Sequence, residues 1–410
     1  VEHGDKDVTR QPGEYSGYRL AEVERFHRAT GENELRGGPA EQYENLRMTE
    51  FLKHALIHRA GPISELPETG ESERLGRELK TRTRLGETSL SAYVEDPQSG
   101  VDGLLILQEG RIVYEAYPRM RSFDKHNYRS VSKPFASLVI ALLSERGQID
   151  VRQPLEVYLP ELAGSGWEGV AVQDVLDMAS GIACLEATDG AWSDPAHPNY
   201  QWHHSFETDV YAFMPTLGRD KAPGTAYDYS SINTFVLSWL AERLTGTPFS
   251  ELLTQEIWLK IGAESDAVIA TPSFGIAQSY WGMSSTLRDL GRFGLLYTPS
   301  WGRVAAEPIV SPTHLAAIQR GGRPEVFLAG DGGKFYQAYG DDRPRHNGWQ
   351  WDAVWEDGDF YKGGFGGQGL YVSPARDLVI AFFGTPDEEM RGNELNAVSR
   401  QLALQPSLTV

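Results

Sequence analysis

The 410-residue chain has a single cysteine, Cys184, so it can form no internal disulfide and no thiolate metal cluster. Nothing in its covalent chemistry requires an oxidising compartment. Positive charge is also in short supply. Lys and Arg total 38 against 57 Asp and Glu, a net charge of −19, which repels phosphate backbones and anionic membrane surfaces. Nucleic acid is therefore not an expected partner, and the charge reads most simply as solubility. No apolar run approaches the length that spans a bilayer, and the opening VEHGDKDVTR has no basic region followed by an apolar one. The expectation is a soluble, cytoplasmic protein without membrane contact, with processing ahead of Val1 left open.

The composition is ordinary for a globular protein, 40% hydrophobic and 23% charged, and the length suits two packed units. Residues 1–100 are polar and Gly/Glu-rich, with one helix-like stretch, EQYENLRMTEFLKHAL, and a Pro-punctuated tail, GPISELPETG; they predict an N-terminal extension packed on a core. In VDGLLILQEGRIVYEAYP two apolar runs flank Glu109-Gly110, a hairpin signal. Residues 130–146 are apolar almost all round and stop at Gly147, which predicts a buried helix. Helical patterns continue in VAVQDVLDMASG, SINTFVLSWLAERLTG and STLRDLGRFGLLY. GQGLYVSPARDLVIAFFG then reads as two strands and NELNAVSRQLAL as an amphipathic helix. Strands at both ends with helices between predict an α/β fold. Its sheet domain is discontinuous, built from 101–122 and 335–410, and a mostly helical domain over 123–334 is inserted.

The pattern Ser-x-x-Lys occurs twice, at Ser122/Lys125 and Ser130/Lys133. A nucleophilic serine needs a base beside its hydroxyl and backbone N–H groups to receive the oxyanion. Ser122 lies in the polar linker RSFDKHNY with Asp124 next to the lysine, a solvated setting. Ser130 opens the apolar helix, with Pro134 in the first turn, where a missing N–H costs little. Spacing of i, i+3 puts Ser130 and Lys133 on one face, and burial lowers a lysine pKa toward that of a proton relay. A serine cap with a solvated lysine is the bland alternative. Two further features speak against it: Tyr229, on a loop shaped by Pro223 and Gly224 just ahead of a second helix, and the glycine-rich stretch Gly363 to Gly369 inside a strand pattern.

Taken in order, GVDGLLILQEGRIVYEAY, YRSVSKPFASL, VQDVLDMASGI, PGTAYDYSSINTFVLSWLAERLTG, WGMSSTLRDLGRFG and YKGGFGGQGLYVSP resemble the serine hydrolases of class C β-lactamase fold. That group includes penicillin-binding DD-peptidases, family VIII carboxylesterases and 6-aminohexanoate-dimer hydrolases. The resemblance covers roughly residues 100–405. It implies an antiparallel sheet flanked by helices with an all-helical insertion, as in β-lactamases and transpeptidases. It also implies that Ser130 is the acylated nucleophile, Lys133 helps to deprotonate it, and Tyr229 passes the proton to the leaving group. The third motif, usually Lys or His followed by a small residue and Gly, is placed on Phe365-Gly366-Gly367. The backbone N–H groups of Ser130 and Gln368 become the expected oxyanion hole, and Ser231, Phe365, Gly366 and Gly367 the expected substrate contacts. Two departures stand out: Tyr229-Ser230-Ser231 where β-lactamases end in Asn, and Phe365 where they carry a cation for a substrate carboxylate. Both argue against β-lactams as main substrates.

The segment from Leu185 to Phe206 holds Asp189, Asp194, His197, His203 and His204, but their spacing matches no helix-borne histidine pair, so no metal is expected. In the resembling enzymes this region lines the substrate pocket, with Trp192, Tyr200 and Trp202 as an apolar wall; packing on the N-terminal extension is the alternative. Trp349 and Trp351 read as core, Asp174 and Asp177 as cap or helix-surface acids, and Cys184 as a small buried filler. The combined expectation is a serine hydrolase that cleaves a small ester or amide through an acyl-enzyme, without cofactor. Acyl transfer on the same machinery and a non-catalytic penicillin-binding-like protein remain as alternatives, and a homodimer is left open.

Overall fold

The computed structural model describes residues 18–29, 37–204, 209–272, 274–335 and 339–408. Residues 1–17 and 30–36 of the expected N-terminal extension lie outside the described residues, as do Phe206 and the side chain of His204. A four-stranded sheet joins β1 (His54–Ile57), β7 (Ala267–Ala270), β8 (Met283–Ser285) and β6 (His126–Asn127), and a small hairpin pairs β2 (Lys80–Thr83) with β3 (Gly86–Ser89). The main sheet is seven-stranded and antiparallel. Its spatial order is β5 (Arg111–Ala116), β4 (Val101–Gln108), β13 (Leu378–Gly384), β12 (Gln368–Ser373), β11 (Phe360–Gly364), β10 (Trp351–Val354) and β9 (His346–Gly348). Strands from near residue 100 and from beyond residue 345 therefore share one sheet, with the helices between them in sequence. β4 and β5 are joined at Glu109-Gly110, both left-handed (φ 51° and 70°), as a tight two-residue hairpin turn requires.

Period-two alternation gives the sheet two buried faces. Leu105, Leu107, Val379, Ala381 and Phe383 pack with the helices Lys133–Glu145, Ser231–Thr245 and Leu287–Leu295. Leu104, Ile106, Leu378, Ile380 and Phe382 pack with the helix Leu395–Ala403 and with Leu75, Leu90 and Tyr93. The helix Leu287–Leu295 is capped by Thr286, whose hydroxyl accepts from Asp289 N. It lies so close to the sheet that a Cβ at Gly294 would stand 2.5 Å from Val379 Cγ1. Among the described residues no helix is long and apolar enough to cross a membrane.

Two local expectations are corrected. EQYENLRMTEFLKHAL does not form one helix: it divides into Gly38–Leu46 and Met48–Phe51 at Arg47, whose guanidinium reaches Asp124 at 3.3 Å. His54–Ile57 then pairs antiparallel with β7, so tertiary pairing overrides local helical tendency. The glycine stretch is not strand throughout. β11 ends at Gly364, Phe365 to Gly367 form a turn, and β12 begins at Gln368.

Candidate active site

Strand β6 delivers the chain to a 3₁₀ turn, Arg129–Ser132, and the helix Lys133–Glu145 follows with Pro134 in its first turn. Ser130 is half-buried in that turn, and Lys133 is fully buried one turn on. Lys133 Nζ is 3.0 Å from Ser130 Oγ, 2.9 Å from Ser231 Oγ and 3.1 Å from the carbonyl oxygen of Tyr280. Three acceptors saturate an ammonium; a neutral amine has one donor fewer and a lone pair, which can receive the Ser130 proton. Burial first, and then the nearby Lys362 cation, pull the Lys133 pKa down to about 7. Glu186 and Asp352 oppose that shift more weakly.

Tyr229 stands half-buried at the start of the helix Ser231–Thr245, and its phenol hydrogen-bonds to Ser130. The two lysines flank its ring, Lys133 Nζ at 5.0 Å and Lys362 Nζ at 4.9 Å from the centroid. Lys362, on β11 and fully buried, donates to Tyr229 Oη at 3.2 Å and to Asp352 Oδ1 at 2.6 Å. The other oxygen of Asp352 accepts from Gly363 N at 2.9 Å. Loss of hydration holds the Tyr229 pKa well above that of free tyrosine, and the Asp352 and Glu186 carboxylates add to this. The phenol thus stays protonated until a reaction draws on it. Glu186 accepts the backbone N–H of Ser231, so two carboxylates and two lysines share one partly dehydrated space.

The structure brings together Ser130, Lys133, Tyr229 and Ser231, but it relocates the third motif. Phe365 is 48% exposed in the turn, and the pattern Lys-small-Gly falls on Lys362-Gly363-Gly364 at the end of β11. A Cβ at Gly364 would stand 2.7 Å from Tyr128 O, which presses this strand end against the start of the Arg129–Ser132 turn. The cation judged missing is therefore present. Gly366 and Gly367 back onto Pro386 and Asn393 rather than the serine. Gln368 is buried opposite Gly364 in the β11–β12 ladder, with its side chain bound to Phe365 O and Gly384 N, and so is committed to the sheet. Arg343 and Arg345, the arginines that precede β9 and its neighbour β10, bind Gly340 O and Glu356.

The three aromatics of the expected wall differ in burial. Trp202 is buried, 4.6 Å between ring centroids from Tyr280, and supports the Lys133 acceptor from behind. Trp192 is exposed, with its indole N–H on Glu186 O, and Tyr200 is half-buried on the helix Pro198–His204. Ser122 is exposed, and its neighbour Asp124 is bound by Arg121 and Arg47. Asp177 is not a surface acid: it is buried and paired with Arg323 at 3.2 Å. Cys184 is buried, as a filler should be. Sequence reasoning missed Lys362, Asp352 and Glu186. Lys362 was detectable, because Lys362-Gly363-Gly364 satisfies the motif three residues ahead of the place chosen.

The profile of the β-lactamase family matches residues 90–405. A 6-aminohexanoate-dimer hydrolase of Paenarthrobacter ureafaciens is 30% identical over 361 residues, 86% of this chain and 88% of that one. A solved Bacillus anthracis structure with a provisional 6-aminohexanoate-dimer hydrolase assignment superposes with a TM-score of 0.72 at 21% identity, covering 91% of this chain and 95% of its own. A family VIII carboxylesterase structure gives 0.55 at 17% identity, covering 76% and 94%. At those identities the two structures attest the shared fold alone.

Proposed function

Because the chain belongs to the β-lactamase family and is a serine hydrolase, we propose that it cleaves small esters or amides through an acyl-enzyme on Ser130. One observation carries the reading: a buried Lys133 amine, its pKa near 7, lies 3.0 Å from the Ser130 hydroxyl, with the Tyr229 phenol on the same oxygen. In acylation, neutral Lys133 takes the Ser130 proton while Oγ attacks the substrate carbonyl. Tyr229 gives its proton to the leaving oxygen or nitrogen and recovers one from Lys133; Lys362 stabilises the phenolate formed in between. Water then attacks the acyl-enzyme by the same steps in reverse, and the free acid leaves.

For the oxyanion, the Ser130 N–H pairs best with that of Phe365. Asp359, just ahead of β11, and Tyr361 and Gly363 within it line the edge that faces β10: Asp359 O accepts from Trp355 N, Tyr361 stands opposite Ala353, and Gly363 N reaches Asp352. Backbone N–H groups alternate along a strand, so Phe365 N–H follows on that edge, past the last residue β10 covers. The main chain of Phe365, rather than its ring or the N–H of Gln368, is the part assigned to catalysis.

The Lys362 charge is already matched by Asp352, which supports substrates that are uncharged next to the scissile carbonyl. A p-nitrophenyl ester, the linear dimer of 6-aminohexanoate and a chromogenic cephalosporin test this, together with peptide mapping of a fluorophosphonate adduct. The adduct is expected on Ser130 and not on Ser122, with the ester or the amide turned over faster than the cephalosporin. An active Ser130→Ala enzyme, or a higher kcat/KM for the cephalosporin, overturns the reading.

A further inference from the structure

Arg129, the residue before the nucleophile, has φ 48°, a left-handed conformation that non-glycine residues rarely adopt and that costs backbone energy. It is also 8% exposed, so its side chain is part of the interior. Its backbone N–H donates to Asn127 Oδ1 at 2.7 Å, and Asn127 Nδ2 in turn lies 3.1 Å from Met48 Sδ. Its guanidinium donates to Asn45 Oδ1 at 2.8 Å, lies 3.7 Å from Glu41 Oε1 and sits over the Trp281 ring at 5.9 Å. Asn45 and Glu41 are themselves buried. Asn45 donates to Thr385 Oγ1 at 3.3 Å, just past β13, and Glu41 accepts from Gly37 N at 2.8 Å.

Glu41, Asn45 and Met48 all belong to the N-terminal segment, ahead of the matched family region. They converge on Asn127 and Arg129, two of the three residues that lead into Ser130. We propose that the helix Gly38–Leu46 is a positioning element of the enzyme, clamping Arg129 in its left-handed conformation through Asn45 and Glu41 and thereby fixing the direction of the Ser130 N–H and hydroxyl. The inference rests on Ser130 as the nucleophile. A side chain in this region is stable only when its surroundings over-determine it. Without the tethers, the productive conformer becomes the minority, and acylation slows by roughly tenfold.

Glycine distinguishes this role from general support, because it adopts positive φ without steric penalty. The experiment compares second-order rate constants for fluorophosphonate labelling, and kcat and KM for a p-nitrophenyl ester, in Asn45→Ala, Asn45→Asp, Arg129→Ala, Arg129→Gly and the double variant Asn45→Ala/Arg129→Gly. Asn45→Ala is expected to slow labelling by about tenfold, with the loss in kcat rather than KM. Asn45→Asp keeps the acceptor and should recover most of that loss. Arg129→Gly should label several-fold faster than Arg129→Ala, and Asn45→Ala should cost little more once residue 129 is glycine. Equal rates for Arg129→Gly and Arg129→Ala overturn the clamp, a comparison that holds even where an Asn45 variant does not fold. Equal losses from Asn45→Ala in both backgrounds also overturn it. Labelling of the parent enzyme at a serine other than Ser130 removes the functional reading as well, and so separates the two failures.

Discussion

Replacing Lys362 by Gln should move the acid limb of activity to higher pH. Both lysine nitrogens lie about 5 Å from the Tyr229 ring centroid, so they are at most about 10 Å apart. At an effective dielectric constant near 20, two unit charges at that separation repel by about 1.7 kcal/mol, rather more than one pKa unit. The Lys133 base works as a neutral amine, so kcat/KM falls as pH drops through its pKa, near 7 in the parent. Lys362→Gln removes the repulsion and leaves Asp352, which favours protonated Lys133, without its cation. Both effects have the same sign, and the limb should rise by about one unit or more, to about pH 8. The double variant Lys362→Gln/Asp352→Asn removes both charges and should shift the limb less. Steady-state kcat/KM for a p-nitrophenyl ester between about pH 5 and 10, at constant ionic strength, gives the profile. An unmoved limb, or one that falls, refutes the argument that Lys362 tunes Lys133.

Lys133→Ala and Tyr229→Phe should each lower kcat by at least about a hundredfold, and the double variant should lose little more than the worse single one, because they share one proton path; additive losses would show separate roles. His314 is buried, and neither ring nitrogen has a hydrogen-bond partner among the described residues; burial pushes its pKa down to about 3. The unfolded chain takes up that proton near pH 6.5 and the folded one only near 3, so stability should fall by about 1.4 kcal/mol per pH unit across that window. Urea titrations at pH 7 and pH 5 should show a smaller drop for His314→Phe than for the parent, and an equal drop refutes the assignment.

Where burial followed local pattern, the chain could be read directly. The β4–β5 hairpin, the helix after Ser130 and the β12–β13 pair all carry their periodicity and their turn residues in adjacent positions. The proximity of Ser130 and Lys133, the proposed nucleophile and base, was legible for the same reason: they are three residues apart where the helix begins. Lys362 was legible as part of a Lys-Gly-Gly pattern, but its partners were not, because only the fold brings Asp352 to it from β10 and Tyr229 from the start of the Ser231–Thr245 helix. The place of Gln368 was not legible, because a glycine-rich run reads equally as strand or turn, and only the ladder register shows that it lies opposite Gly364. Arg129 gave no signal at all. Arginine is an unusual choice for a left-handed position, and its tether lies more than eighty residues earlier in the sequence.

The pairing of β4 with β13 places Leu107 beside Val379. A ribosome that has released β4 must therefore add about 270 more residues before the neighbour on that side exists, on the order of tens of seconds at ordinary synthesis rates. Throughout that interval the β4 strand keeps one edge unpaired, with an apolar centre, Leu104 to Leu107, between Asp102 and Gln108. The same delay separates the parts of the proposed site: Ser130 and Lys133 emerge early, but Lys362 and the turn after β11 come only with the last part of the sheet. A long-unpaired strand edge and a late-completed site are thus two results of one connection, the long stretch of chain between strands that must lie side by side.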